Sequence, residues 1–491
     1  MRDDDQDMDP DALAQNRICS ACVGEPFLRV EIVEKGQDAE CSYCQKTGPT
    51  IGIGDLADYV DTAFEDHYER TPSEPQGIEY LLAKEGLWDR HGEPVASVIG
   101  AAAQVEEDPA EHVRAVLSER HFDFDDASAG VENPFDGEAY YEDSGVRDYE
   151  LQASWRHFQQ SLKTESRFFN RVAEETLNSI FEDLGSHVTQ HGRPVIVNAG
   201  PGTEMASLHR ARVFQSDEKL KEALKHPDVE LGPPPSPVAS AGRMNARGIA
   251  VFYGATDAKV ALAETRPPVG SKVAVARFDI IKPLQLLDIE ALRSLYVNGS
   301  IFDKTFIERL RKAKFLSTLS HSITAPVMPD DEPSEYLITQ AIADYLAAQN
   351  EPALDGIIYP SVQNGGDAKN VVLFHKSARV EAIELPPGTT MWAQTNPSDE
   401  DGVYPDYGVF EEVPRHKAEV GTAVADGGSK DDPRLHLFLG NPKLGGEDVR
   451  EPTLRVATDS VKVHHVSRAE YETDEHDVSR HRLEKRDGED F

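Results

Sequence analysis

Four cysteines and one short stretch hold the residue types best suited to chemistry. Cys19 and Cys22 stand in "CSAC", Cys41 and Cys44 in "CSYC", two CxxC pairs separated by 18 residues. This is the spacing of a zinc ribbon, in which each pair forms a knuckle that supplies two thiolates to one tetrahedral ion. Four thiolates leave no open coordination position, so the expected Zn2+ is structural. Two disulfides or a redox CxxC are the other readings. A reducing compartment disfavours the first, and a redox site has no need of the second copy. The stretch "AGRMNARGIAVFYGATDAKVALAETRPP", Ala241 to Pro268, gathers Arg243, Asn245, Tyr253 and Glu264 around one strand and one helix start. Thr256 or Asp257 is a good N-cap for that helix, and Pro267 and Pro268 stop it. Glu264 then falls in the last turn, where the helix dipole disfavours a carboxylate, so stability alone does not ask for it.

The elements that must position these residues follow from length and pattern. A chain of 491 residues suggests about three folded units. With 88 acidic against 50 basic residues the net charge is -38, which opposes non-specific binding to a phosphate backbone. No run of about 18 apolar residues is present, and the N-terminus is acidic, without a basic segment leading into an apolar one. The expectation is a soluble, cytoplasmic protein with no membrane partner. Apolar residues recur at three- and four-residue spacing in "DLADYVDTAFEDHY", "GIEYLLAKEGLW" and "PAEHVRAVLSERH", and a long helical region is expected from Tyr149 to Leu184. From Arg193 the texture changes to short apolar runs, among them "PVIVNAG", "GIAVFYGA", "KVAVARFDI", "DGIIYPS" and "NVVLFH", which suggest buried strands. The expected fold class is α+β. Its expected order is a disordered acidic tail (1–16), a zinc ribbon plus helical module (17–188), a mixed-sheet domain (189–385), an acidic extension with the closing strand or strands (386–474) and a polar tail (475–491).

Five motifs in order, "LHRARVF" with Arg210, "AGRMNARG" with Arg243 and Asn245, "VFYGA" with Tyr253, "ALAE" with Glu264 and "IIYPS" with Ser361, resemble the RES family. Met244 departs from it, standing where the family often carries an aromatic residue. The resemblance covers about Arg193 to Leu385. It implies a fold similar to ADP-ribosyltransferases and consumption of NAD+ by cleavage of the nicotinamide–ribose bond. The ribose then passes to water, phosphate or a protein. A carboxylate suits the oxocarbenium character of such a reaction, which assigns Glu264 to catalysis with Arg210 and Ser361. Arg243, Asn245, Tyr253 and Arg212 are assigned to NAD+ binding, the arginines through bidentate contact with pyrophosphate. Arg212 lies on the same strand face as Arg210 and is its expected partner. The resemblance also implies a bacterial toxin or defence effector, with an antitoxin or regulatory protein as a possible partner. Two alternatives stay open: a catalytically silent nucleotide-binding module, and a zinc-ribbon regulator that binds nucleic acid or protein. Arg114 and His121 in "RAVLSERH" also match the spacing of helical HEPN ribonucleases, a weaker signal.

Overall fold

A computed structural model describes residues 9–482 apart from 78, 85–86, 129, 362–367, 396–397, 400–401, 404–405, 415–447 and 471–472. Residues 1–8 of the expected acidic tail, 483–491 of the expected polar tail and much of the acidic extension therefore lie outside the described residues. The chain divides into two compact units, one formed by Met1–Ile196, Asp288–Ala341 and Asn350–Pro352, the other by Val197–Leu287, Ile342–Gln349 and Ala353–Phe491. The class is α+β. Among the described residues no helix is long and apolar enough to cross a membrane.

The first unit begins with a three-stranded antiparallel sheet in which Thr47–Gly52 lies between Arg17–Cys19 and Gln37–Glu40. Helix Ile53–His67 follows, and its buried residues, Ile53, Leu56, Ala57, Val60, Ala63, Phe64 and His67, fall on one stripe. They pack with Ile18, Leu28 and Ile32 of the ribbon and with Ile99, Val113 and Leu117 of the helices Val95–Ala103 and Glu107–Arg120. The reading of residues 1–16 as a disordered tail is corrected over Pro10–Ala14. These form a short helix capped by Asp9, because Leu13 is buried in the same core. The long helical region is two helices, Tyr149–Thr164 and Arg171–Phe181, parted at Asn170, whose side chain caps the second by accepting from Ala173 N. The stretch Asp288–Ala341, which includes helix Lys304–Thr324, clusters with this first unit although it interrupts the strand-rich sequence.

The second unit is organised on eight strands: β1 (Ile196–Ala199), β2 (Ser207–Phe214), β3 (Phe252–Ala255), β4 (Lys272–Ile280), β5 (Leu284–Asp288), β6 (Gly356–Pro360), β7 (Lys369–Leu373) and β8 (Leu454–His465). Their order is β8-β4-β2-β3-β7-β6-β5-β1. Alternate residues of β2 and β4 fill the main core, where Leu208 and Phe214 meet Ala274, Ala276 and Phe278 with Phe252, Ile358, Val371, Leu373 and Val456. The alternation after Thr453 forms β8, paired antiparallel with β4 from Lys272↔His465 to Ile280↔Leu454. One junction is sparse. β2 pairs with β4 along its whole length, and β3 pairs with β7 along its whole length, yet β2 and β3 share the single register pair Ala255↔His209. Beyond that pair the sheet splits into a three-stranded and a five-stranded half, and Arg210, Phe252 and Tyr253 stand at the opening.

Candidate functional site

Glu264 ends the helix Ala258–Glu264. The helix starts at Asp257, whose side chain accepts from Lys259 N, and Val260 and Ala261 seat it on Ala255 and Ala211 of the sheet. Ser361 follows β6, and Asn370 is the second residue of β7, register partner of both Ala255 and Tyr359. These placements converge on one atom. Ser361 Oγ donates to Glu264 Oε1 at 2.7 Å, and Asn370 Nδ2 donates to the same oxygen at 2.7 Å. Both donors are neutral, and among the described residues no ion pair reaches Glu264. The carboxylate is thus oriented by neutral donors, and its other oxygen, on an exposed residue, has no hydrogen-bond partner among the described residues. A fixed negative charge of this kind stabilises positive charge that develops beside it.

The second group is the loop before β3. Gly242 and Asn245 close a tight turn through Gly242 N to Asn245 O at 3.0 Å. Asn245 is buried, and its Nδ2 donates to the carbonyls of Ser240 and Ile249 at 2.9 Å and of Ala246 at 3.2 Å. Its Oδ1 accepts from Tyr253 Oη at 2.8 Å, and that oxygen accepts from Met244 N at 3.1 Å. A Cβ on Gly242 would lie 2.6 Å from Tyr253 Oη and 2.7 Å from Asn245 Oδ1, so the turn has room only for glycine. Asn245 and Tyr253 thereby clasp the loop that presents half-buried Arg243.

Arg210 stands at the split. Strand alternation puts it on the face of Leu208 and Phe214, and Ala211 on the face under the Glu264 helix. Its guanidinium carbon lies 5.0 Å from the Phe252 ring centroid, and Nη1 is enclosed without a hydrogen-bond partner. Burial, reinforced by the like charge of Arg212, pushes its pKa down to about 10, with Tyr253 acting in the opposite direction. It remains a cation at neutral pH. Arg212 shares the face of Arg210 but is engaged elsewhere, since its Nη1 donates to Glu230 O at 2.6 Å and to Glu230 Oε2 at 3.0 Å.

In the first unit the four cysteine sulfurs form one cluster, all within 4.8 Å of one another. Cys19 to Cys22 is 3.7 Å, Cys19 to Cys44 is 3.5 Å and Cys22 to Cys41 is 3.8 Å. Thiolates about 2.3 Å from a tetrahedral centre stand about 3.8 Å apart, so a cluster of these dimensions could hold a metal ion. Elsewhere in this unit Arg114 is bound to Glu111 and the Phe135 carbonyl, and His121 Nε2 meets Asp61 Oδ1 at 2.8 Å.

The structure therefore joins Glu264 to Ser361, and Tyr253 to Asn245. It makes no bond between either pair and Arg210. Asn370, 5% exposed, is the residue that sequence reasoning missed; its signal is a polar residue next to the apolar run Val371–Leu373 of β7. In comparison with known proteins, residues 207–394 match the family model for the RES domain. No curated protein and no solved structure matches the chain.

Proposed function

We propose, from the premise that residues 207–394 are a RES domain, that this protein cleaves the nicotinamide–ribose bond of NAD+ and transfers the ADP-ribose. The observation that carries the reading is the Glu264 carboxylate, held through one oxygen by Ser361 and Asn370. As the bond to nicotinamide breaks, its electron pair leaves with the neutral base and positive charge builds on the ribose carbon. A carboxylate fixed in advance stabilises that charge without reorganisation. Ser361 and Asn370 keep its orientation. Arg243, on its clasped loop, is assigned to the pyrophosphate, where a guanidinium gives bidentate contact. Arg210 is assigned as the second anion contact, because an enclosed cation without a carboxylate is costly unless a bound anion supplies the counter-charge. Arg210 lies on the sheet face opposite the Glu264 helix, so a ligand beside that helix would have to reach it through the sparse junction between β2 and β3. Arg212 is left out of the binding set, since Glu230 takes its guanidinium. Asn245 and Tyr253 position the loop, with the Tyr253 ring as a surface for the nicotinamide.

The acceptor is water, phosphate or a protein side chain, and the role is that of a bacterial toxin or defence effector held in check by a partner protein. The four cysteines bind one structural Zn2+ that ties the two knuckles together. Incubating the full chain with NAD+, with and without phosphate, and identifying the products by mass spectrometry tests this reading. Free nicotinamide with ADP-ribose, its phosphate ester or an ADP-ribosylated protein is expected. Bound but intact NAD+ would make the domain a nucleotide holder instead.

A further inference from the structure

The helix that carries Glu264 stops on a turn built for glycine and occupied by arginine. Thr265 closes the helix, its N and its Oγ1 both donating to Leu262 O at 3.2 and 2.8 Å, and Arg266 N donates to Ala263 O at 3.0 Å. Arg266 has φ 43°, in the left-handed region where helices commonly end on glycine and where a side chain is crowded. Pro267 follows, and a residue before proline favours an extended backbone, so the conformation is disfavoured twice. Strain of this kind persists only where the surroundings impose it, and it gathers at functional sites.

The side chain is also unspent. Arg266 is exposed, and among the described residues its guanidinium makes no hydrogen bond and no ion pair, in a chain of net charge -38. Other arginines of the same domain are taken, Arg212 by Glu230 and Arg277 by Asp279. A cation after the last turn answers the helix dipole, yet the dipole asks for a charge and not for a left-handed backbone beneath it. Cα atoms two residues apart lie at most about 7 Å from one another, so a guanidinium on its long stem stays within reach of a ligand that meets Glu264. Arg210, by contrast, faces the other side of the sheet.

We propose that Arg266 is a phosphate-binding residue of the Glu264 site, an assignment that rests on the proposed cleavage of NAD+. A guanidinium in this place grips a phosphate beside the reacting ribose carbon. That phosphate is either the one joined to the same ribose in the dinucleotide or a free phosphate ion that serves as acceptor. In the second case a phosphate oxygen bonds to the ribose carbon as the bond to nicotinamide breaks. The electron pair of that bond leaves with the neutral base, and the proton of the phosphate passes to solvent.

Arg266→Gly and Arg266→Lys in the full chain test the proposal. Glycine relieves the backbone and removes the cation, whereas lysine keeps the cation and the strain but loses the fork of donors. Arg266→Gly is expected to melt no lower than the wild type, which an arginine with only a structural role would not allow. If the phosphate is the dinucleotide's own, NAD+ affinity by calorimetry in phosphate-free buffer falls about tenfold in Arg266→Gly, with Arg266→Lys in between. If it is a free ion, NAD+ affinity holds, and the phosphate concentration that half-saturates nicotinamide release rises about tenfold. Either result supports the assignment. Unchanged NAD+ affinity together with an unchanged phosphate dependence overturns it and leaves the cleavage of NAD+ in place. A wild type that neither binds nor cleaves NAD+ overturns the functional reading and the assignment with it.

Discussion

Asn370 and Glu264 stand 106 residues apart in the chain and are joined by a 2.7 Å hydrogen bond. Because Asn370 is the register partner of Ala255, and Ala255 also seats the helix that carries Glu264, strand pairing and helix packing fix the two ends of this bond independently. Ser361 adds a second donor to the same oxygen. The carboxylate is held from β7 and from the residue after β6, and in the proposed reaction a change at either should be felt at the bond that breaks.

Asn370→Ala and Ser361→Ala are each expected to lower the rate of nicotinamide release by about tenfold, the scale of one hydrogen bond to a charged group, with NAD+ affinity little changed. The two donors share Oε1, so the double variant should lose more than either single one and differ from the product of the two effects. Single-turnover rates, with NAD+ binding measured by calorimetry, check both statements.

Arg210→Met separates a ligand-binding arginine from a structural one. Its Nη1 is enclosed without a hydrogen-bond partner, and among the described residues no carboxylate forms an ion pair with it, so removing the charge relieves a desolvation penalty. The variant is expected to melt no lower than the wild type in the absence of ligand. It should bind NAD+ at least tenfold more weakly. Thermal denaturation with and without NAD+ reads both effects, and a lower melting temperature with unaltered binding would remove Arg210 from the site.

Gly242→Ala places a methyl group against Tyr253 Oη and Asn245 Oδ1 at distances no side chain tolerates. The clasp must open or the loop must shift, at a cost of about 1–3 kcal/mol. Denaturant unfolding should report that loss. NAD+ affinity should fall with it, because Arg243 is carried on the same turn.

The cysteine cluster leads to a further expectation. Elemental analysis of protein purified without chelator should give one zinc per chain, since the four sulfurs lie within 4.8 Å of one another and three of their spacings, 3.5 to 3.8 Å, suit a tetrahedral ion. Cys41→Ser should destabilise the first unit, where Cys41 is fully buried, while the RES domain remains folded. Less than half an equivalent of metal would argue against the ribbon.

Much of this architecture is written in local pattern. The CxxC spacing marks the cluster, the stripe from Ile53 to His67 marks a helix, and "KVAVARFDI" marks β4, because each depends on neighbours in sequence. What escaped depends on tertiary contact. Asn370 lies inside "KNVVLFH", where a polar residue at the edge of an apolar run looks incidental until β7 is set beside Ala255. Asn245 reads as a ligand contact from its motif, yet its amide is spent on the backbone of its own loop. The break at Asn170 is hidden because the apolar period resumes after it. The grouping of Asp288–Ala341 with the first unit has no local signal at all.

The most direct measurement is nicotinamide release from NAD+ by the wild type and by Glu264→Gln. Glutamine keeps the size and the hydrogen-bonding carbonyl that Ser361 and Asn370 reach, and removes only the charge. If Glu264 acts on charge that exists mainly in the transition state, release should fall by on the order of a hundredfold or more while NAD+ binding stays within a few-fold of the wild type. A Glu264→Gln variant that releases nicotinamide as fast as the wild type, or a wild type that binds NAD+ and releases none, would contradict the account.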